Sequence, residues 1–148
     1  MATDTIDIDA PPAAVYDVLS DGWRYIAWVV GTSHMYAVQS QWPAAGSKLW
    51  HATGAWPFVV RDETQVVSVE PERRMELVAR GRPFGEARIV LDIDGNGSGC
   101  RVTMDEQPTG GLIRSLHNRL SEAMLHRRNA ESLARLKALA ERRTEPLR

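Results

Sequence analysis

The side chains in this sequence that could do chemistry are two histidines, one carboxylate set among apolar neighbours, several tryptophans and a single cysteine. His34 and His51 fall on what read as neighbouring strands, where two imidazoles could form an acid/base or a metal pair. No Cys or carboxylate stands beside them at ligand spacing, and no H-x-x-x-H occurs, so no metal site is expected. The other readings are a polar lining for a pocket, or ordinary surface and core roles. Glu106 follows Val102 and Met104 at period two. If those two face a core, Glu106 faces it too, and an enclosed carboxyl suits a general acid or base. The plainer alternatives are a solvated strand end or an ion pair. Arg127 is the expected partner, with Asn129 beside it, because Arg127 falls on the apolar side of a helix, where a charge needs a reason.

Trp28, Trp50 and Trp56 are placed to wall a cavity near the open end of a sheet, or to pack a core as large aromatics commonly do. Trp42, in the Trp42-Pro43 turn, reads as the cap of an edge. Cys100 lies within a strand without an adjacent base, so it reads as a small buried side chain rather than a nucleophile. There is no G-x-S-x-G, Walker sequence or G-x-G-x-x-G, and the glycine-rich stretch 95–99 lacks the following helix that phosphate binding needs. No cofactor is expected.

The elements that must position these groups are legible as periods. Residues 3–9 alternate, with Ile6 and Ile8 on one face, as a half-buried strand does. Pro11-Pro12 opens a short helix carrying Val15, Val18 and Leu19, and residues 23–28 form a second short turn or helix. Period two then returns over 29–39, 48–54, 58–70, 74–80, 84–94 and 100–107, with turns at Trp42-Pro43, Trp56-Pro57, Pro71, Arg82-Pro83 and the loop 94–99. From Leu112 to about Arg143 the pattern is one amphipathic helix about 48 Å long at 1.5 Å per residue. Its expected inner stripe is Leu116, Leu120, Ala123, Met124, Arg127, Ala130, Leu133, Leu136 and Ala140. Strands joined by short turns make an antiparallel meander, and one long helix can bury its stripe only on the concave face of that sheet.

Composition bounds the rest. The chain has 148 residues, 43% of them hydrophobic and 25% charged, as expected for one domain spanning 1–148 with a core at about 3–141. A net charge of −1 argues against nucleic acid as a partner. Residues 1–10 have neither the basic nor the apolar region of a signal peptide, and no apolar run suits stable membrane insertion. One cysteine precludes an intrachain disulfide and fits a cytoplasmic location. A monomer or homodimer is expected.

The element order and several local phrases resemble the START/Bet v 1-like (SRPBCC) superfamily, in particular its bacterial polyketide cyclase/dehydrase and lipid transport branch. The stretch Ile6-Asp7-Ile8-Asp9-Ala10-Pro11-Pro12-Ala13-Ala14-Val15-Tyr16-Asp17-Val18-Leu19 resembles its opening strand-to-helix segment. Glu70-Pro71 with Met75-Glu76-Leu77, Gly99-Cys100-Arg101-Val102-Thr103, and Arg128 to Lys137 resemble its later turn, final strand and helix tail. The resemblance implies an α+β helix-grip fold: a seven-stranded curved antiparallel sheet around a long C-terminal helix, with two short helices after the first strand. It also implies a small, mostly hydrophobic ligand (lipid, aromatic or polyketide-like) bound or transported in an internal cavity. The alternative is an aromatase/cyclase-type enzyme that cyclises and dehydrates a poly-carbonyl chain by acid/base chemistry, with Glu106 the candidate catalytic group. A third possibility is an interaction protein whose pocket has collapsed. The residues expected to line the cavity are Trp28, His34, Trp50 or His51, Met104, Glu106, Leu120, Met124 and Arg127. His51 is the choice for a polar site and Trp50 for an apolar wall.

Overall fold

A computed structural model describes residues 2–81, 85–110 and 119–142. The alternating N-terminal residues form β1 (Ala2–Ile8). Pro12 lies in the first turn of α1 (Pro12–Ser20), where its missing N–H is not needed, and Ala14, Val15, Val18 and Leu19 are its buried face. The Asp21 side chain accepts the Trp23 N–H and starts a 3-10 turn (Gly22–Arg24) that runs into α2 (Tyr25–Trp28). Val29 returns its N–H to Tyr25, so the next strand begins later than its period suggests. The strands that follow are β2 (Thr32–Val38), β3 (Lys48–Ala55), β4 (Phe58–Glu70), β5 (Arg74–Gly81), β6 (Gly85–Gly95) and β7 (Cys100–Gly110). The described part of the long helix is α3 (Arg119–Arg142). Its expected start, Leu112 and Leu116 included, lies outside the described residues.

The sheet order is β1-β7-β6-β5-β4-β3-β2, and every neighbouring pair is antiparallel. β2 to β7 form one meander, and β1 docks on β7 with Ile6 opposite Val102 and Ile8 opposite Cys100. The architecture is the expected helix-grip, with seven curved antiparallel strands, two short helices after the first and the long helix last. β7 runs past Pro108, which is tolerated because the β1 ladder has already ended at Glu106, leaving Pro108 on an edge.

α3 packs chiefly on β1, α1 and α2. Leu133, Leu136 and Ala140 are buried in the expected phase and join Ile8, Val15, Val18 and Val102 in the core. The first half of the expected stripe does not hold. Ala123, Met124, Arg127 and Ala130 are exposed, Met124 to 66%, while Asn129 and Ser132 are buried. Each step of three residues slips a stripe by about 60° around a helix, and tracing back from Leu133 by threes follows that slip. The real contact line steps by four to Asn129. Chemistry hid it, because its members there are polar. Ser132 Oγ accepts the Val30 N–H at 3.1 Å, which answers a backbone donor just past the end of α2.

Candidate functional site

On the concave face, side chains shrink toward one end of the sheet. Met75 stands opposite Leu91, Leu77 opposite Ile89, Ala79 opposite Ala87, and Gly81 opposite Gly85. The first of these fill the core; the alanines and glycines do not reach across, and a cavity of about 540 Å³ opens there. Pro57, Phe58, Val59 and Val60 give it an apolar wall from the β3–β4 hairpin, with Thr53 and Asp62 beside them. Glu106 and Arg128 close its inner end. Past them a crevice of about 20 Å³ continues between Tyr25, Trp28, Leu77, Ile89, Met104, Asn129 and Ser132.

Glu106 is 5% exposed, and Arg128 Nη2 reaches both of its oxygens, at 2.6 and 2.5 Å. Burial works against the charge on Arg128 and the adjoining Glu106 carboxylate outweighs it, so the guanidinium is held above its ordinary range. Arg128 keeps 42% of its side chain accessible, part of it the surface it gives to the cavity wall. Behind the wall runs a chain of hydrogen bonds. Tyr25 Oη meets Thr64 Oγ1 at 3.0 Å, Thr64 meets His51 Nε2 at 3.1 Å, His51 Nδ1 meets Thr53 Oγ1 at 3.4 Å, and Thr53 donates to Asp62 Oδ2 at 3.4 Å. Tyr25 also packs against the His51 ring, with centroids 4.8 Å apart. Asp62 Oδ1 and Asn129 Nδ2 are buried without a hydrogen-bond partner in the protein.

His51 and Asp62 are shifted in opposite directions. Burial, only partly opposed by a hydrogen bond at the Ala52 backbone, lowers the His51 imidazole from 6.5 to about 4. Burial raises the Asp62 carboxyl from 3.8 to about 6, against hydrogen bonds from the Glu63 backbone and Thr53; Glu63 adds to the rise and Arg128 opposes it. Between these limits folded Asp62 holds a proton that the unfolded chain releases, so its contribution to stability is lost as pH rises. Folded His51 refuses a proton that the unfolded chain takes, so its contribution is lost as pH falls. The two slopes oppose each other, and the contributions of these two groups should nearly cancel from about pH 4 to about pH 6. Asp62→Asn should then gain stability with rising pH and His51→Gln should lose it, each by on the order of 1 to 2 kcal/mol after solvent screening. Urea midpoints across that window measure this, and slopes of the same sign in both variants would rule out the opposition.

The structure brings some of the expected lining residues together and separates others. Trp28, Met104 and Glu106 meet at the inner crevice. His51 turns to the concave side but lies behind Thr53 and Tyr25, not on the cavity surface. Trp50 turns outward, opposite Glu63, so the undecided parity of β3 falls to His51. His34 pairs with Ala52 while Met35 pairs with His51. An offset of one residue places the two histidines on opposite faces, and no acid/base or metal pair forms between them. His34 instead lies exposed, edge-on to Tyr36, over which Arg61 stacks at 4.8 Å. Trp56 is 88% exposed at the hairpin tip, and Trp42 is buried, its Nε1 donating to the Leu19 carbonyl. Met124 and Arg127 point away from the sheet, and the partner of Glu106 is Arg128, one residue on, because of the slipped stripe. The side chain of Leu120 lies outside the described residues.

Asp62, Thr53 and Arg128 were not expected at the site. A signal for its position does exist in the sequence: the alternate series Leu77, Ala79, Gly81 and Ile89, Ala87, Gly85 shed volume toward one hairpin. Nothing local marks Asp62, which shares the inward parity of Thr64 and Val66.

Residues 2–141, nearly the whole chain, match the family described as polyketide cyclase/dehydrase and lipid transport. The chain belongs to that family. No curated protein sequence matches it. Among solved structures, a conserved protein of Geobacillus kaustophilus superposes with a TM-score of 0.76 at 13% identity, covering 95% of this chain and 94% of that one. A protein of Nitrosomonas europaea gives 0.73 at 17% identity, over 96% and 94%. DynU16, a protein in the dynemicin biosynthetic locus, gives 0.69 at 18% identity over 95% of this chain, which spans only 46% of DynU16. At such identities the likeness is one of fold. This member of the polyketide cyclase/dehydrase and lipid transport family therefore has its cavity defined by its own residues. Among those described, no three His, Cys, Asp or Glu side chains converge as a metal would require, and no helix is long and apolar enough to cross a membrane.

Proposed function

We propose that this chain binds a small, mostly apolar molecule, of lipid, aromatic or polyketide-like kind, in the cavity between the concave sheet and α3. The observation that carries the reading is the cavity itself: about 540 Å³ beside an apolar hairpin, with the polar groups gathered at a few points. That size and mix suit small-molecule sites, in which apolar walls supply affinity and sparse polar groups fix orientation. Burying on the order of 300 Å² of apolar ligand surface contributes roughly 7 kcal/mol before the cost of association. The Glu106–Arg128 pair sets a polar stop at the inner end.

A second reading, an aromatase/cyclase-type enzyme, is favoured by the presence of ionisable groups in the cavity wall. Such a site folds a poly-carbonyl chain, and an acid or base promotes enolisation and loss of water. Glu106 has both oxygens engaged by Arg128, so the group free to move a proton there is Asp62.

Native mass spectrometry of the protein purified from its own host tests the binding reading. The expected result is a co-purified small molecule of largely apolar character, released on denaturation. No bound molecule, together with no uptake of neutral aromatic probes, would overturn it. Conversion of the released compound on incubation would move the reading from carrier to enzyme.

A further inference from the structure

Asp62 differs from Glu106, the other acid among the described residues of this cavity wall, in having one oxygen tied and one free. Asp62 lines the cavity; its Oδ2 accepts from Thr53, and its Oδ1 is buried without a partner in the protein. A buried carboxyl oxygen left unpaired is costly unless something in the cavity meets it. The chain behind it fixes how that meeting can occur. With His51 neutral, every member can donate toward Asp62: Tyr25 to Thr64, Thr64 to His51 Nε2, His51 Nδ1–H to Thr53, Thr53 to Oδ2. In that order Oδ2 is an acceptor, and a proton held by the carboxyl sits on Oδ1, the oxygen without a partner in the protein.

We propose that protonated Asp62 is a hydrogen-bond donor subsite that recognises a carbonyl-type oxygen (ketone, quinone or enol) on the ligand, with Thr53, His51, Thr64 and Tyr25 as positioning residues. The inference rests on the cavity-binding reading and names the chemical class that the cavity selects. The charge around the subsite agrees with an acceptor. Arg128 on α3 and Glu106 on β7 face the same space but neutralise each other, so no net charge there calls for a charged ligand. Glu63, next along β4, is turned to Lys48 and Arg80 on the outer face. Gly81, the β5 neighbour of Asp62, carries no side chain to compete for it. The raised carboxyl of Asp62 keeps the donor proton available in mildly acidic solution, and His51 stays neutral down to about pH 4.

A matched pair of probes tests this: 2-acetylnaphthalene, which offers a carbonyl, and 2-ethylnaphthalene, which has the same shape without it. Wild type should prefer the ketone by about tenfold at about pH 5, the worth of one good hydrogen bond, and lose most of that preference by about pH 8. Asp62→Leu should bind both probes without preference at either pH. Asp62→Asn, which keeps an N–H donor but cannot ionise, should hold its preference at both. Thr53→Val should weaken the preference and move its pH midpoint, which a residue serving only to fill space would not do. A wild-type-like preference in Asp62→Leu, or a wild-type preference independent of pH, would sink the subsite while leaving the cavity reading in place. If neither probe is taken up by any variant, both readings fall together.

Discussion

Replacing Arg128 with methionine is expected to destabilise the fold by about 3 kcal/mol. The reason is the asymmetry of the pair. Glu106 is 5% exposed and has both carboxylate oxygens on one guanidinium nitrogen, whereas Arg128 is partly open to the cavity. Removing the arginine leaves a charge enclosed beside Met104 and Ile89 with no counter-charge at hand. Glu106→Gln alone should cost less, because Arg128 can still hydrogen-bond the amide and reach solvent. The double variant should cost less than the sum of the two singles, since the unpaired carboxylate is then absent. Chemical denaturation of the four proteins measures the cycle. A loss in Arg128→Met no larger than in Glu106→Gln, with the double variant at their sum, would show that the ion pair does not govern that corner of the fold.

Filling the cavity should abolish ligand uptake while leaving the fold standing. Ala79 and Ala87 face each other across β5 and β6 in the cavity wall. Phenylalanine at both positions continues toward the hairpin the bulk that Leu77 and Ile89 supply one step away. The added rings enter open space rather than a packed core, so the overpacking cost of about 1 to 3 kcal/mol seen in full cores should be largely avoided. Binding of the neutral naphthalene probes, or of the native ligand once recovered, should fall by about a hundredfold or more, since the lost burial is the main driving force. Met124→Trp is the control. That side chain is 66% exposed on α3, so enlarging it should leave binding unchanged. Full binding by the double phenylalanine variant would place the ligand elsewhere.

Much of this protein was legible in its residues because the relevant physics is local. Alternation marks strands, and Ile6-Asp7-Ile8-Asp9 and the run from Ala87 to Ile93 show it without help. Prolines, glycines and the 94–99 loop place the turns, and a single amphipathic helix at the end leaves one arrangement in which every apolar face is covered. Glu106 was legible too, since parity along β7 carries inward from Val102 and Met104.

What the tertiary structure alone decided is where periodicity is silent. Period two gives two faces but not which is inside when both are mixed, so the choice between Trp50 and His51, and the separation of His34 from His51, came from the register of β2 on β3. The helix stripe was misread at Arg127 and Met124 because its true members there, Arg128, Asn129 and Ser132, are polar, and apolarity was the only guide. Their inward placement follows from partners more than twenty residues away in the chain: Glu106 for Arg128 and the Val30 N–H for Ser132. Asp62 is the clearest case. Its neighbours in sequence are Arg61 and Glu63, an ordinary charged stretch. Only the curvature of the sheet, which sets it beside Thr53 and opposite two glycine-lightened strands, makes it an enclosed carboxyl in a cavity wall with one oxygen unpartnered.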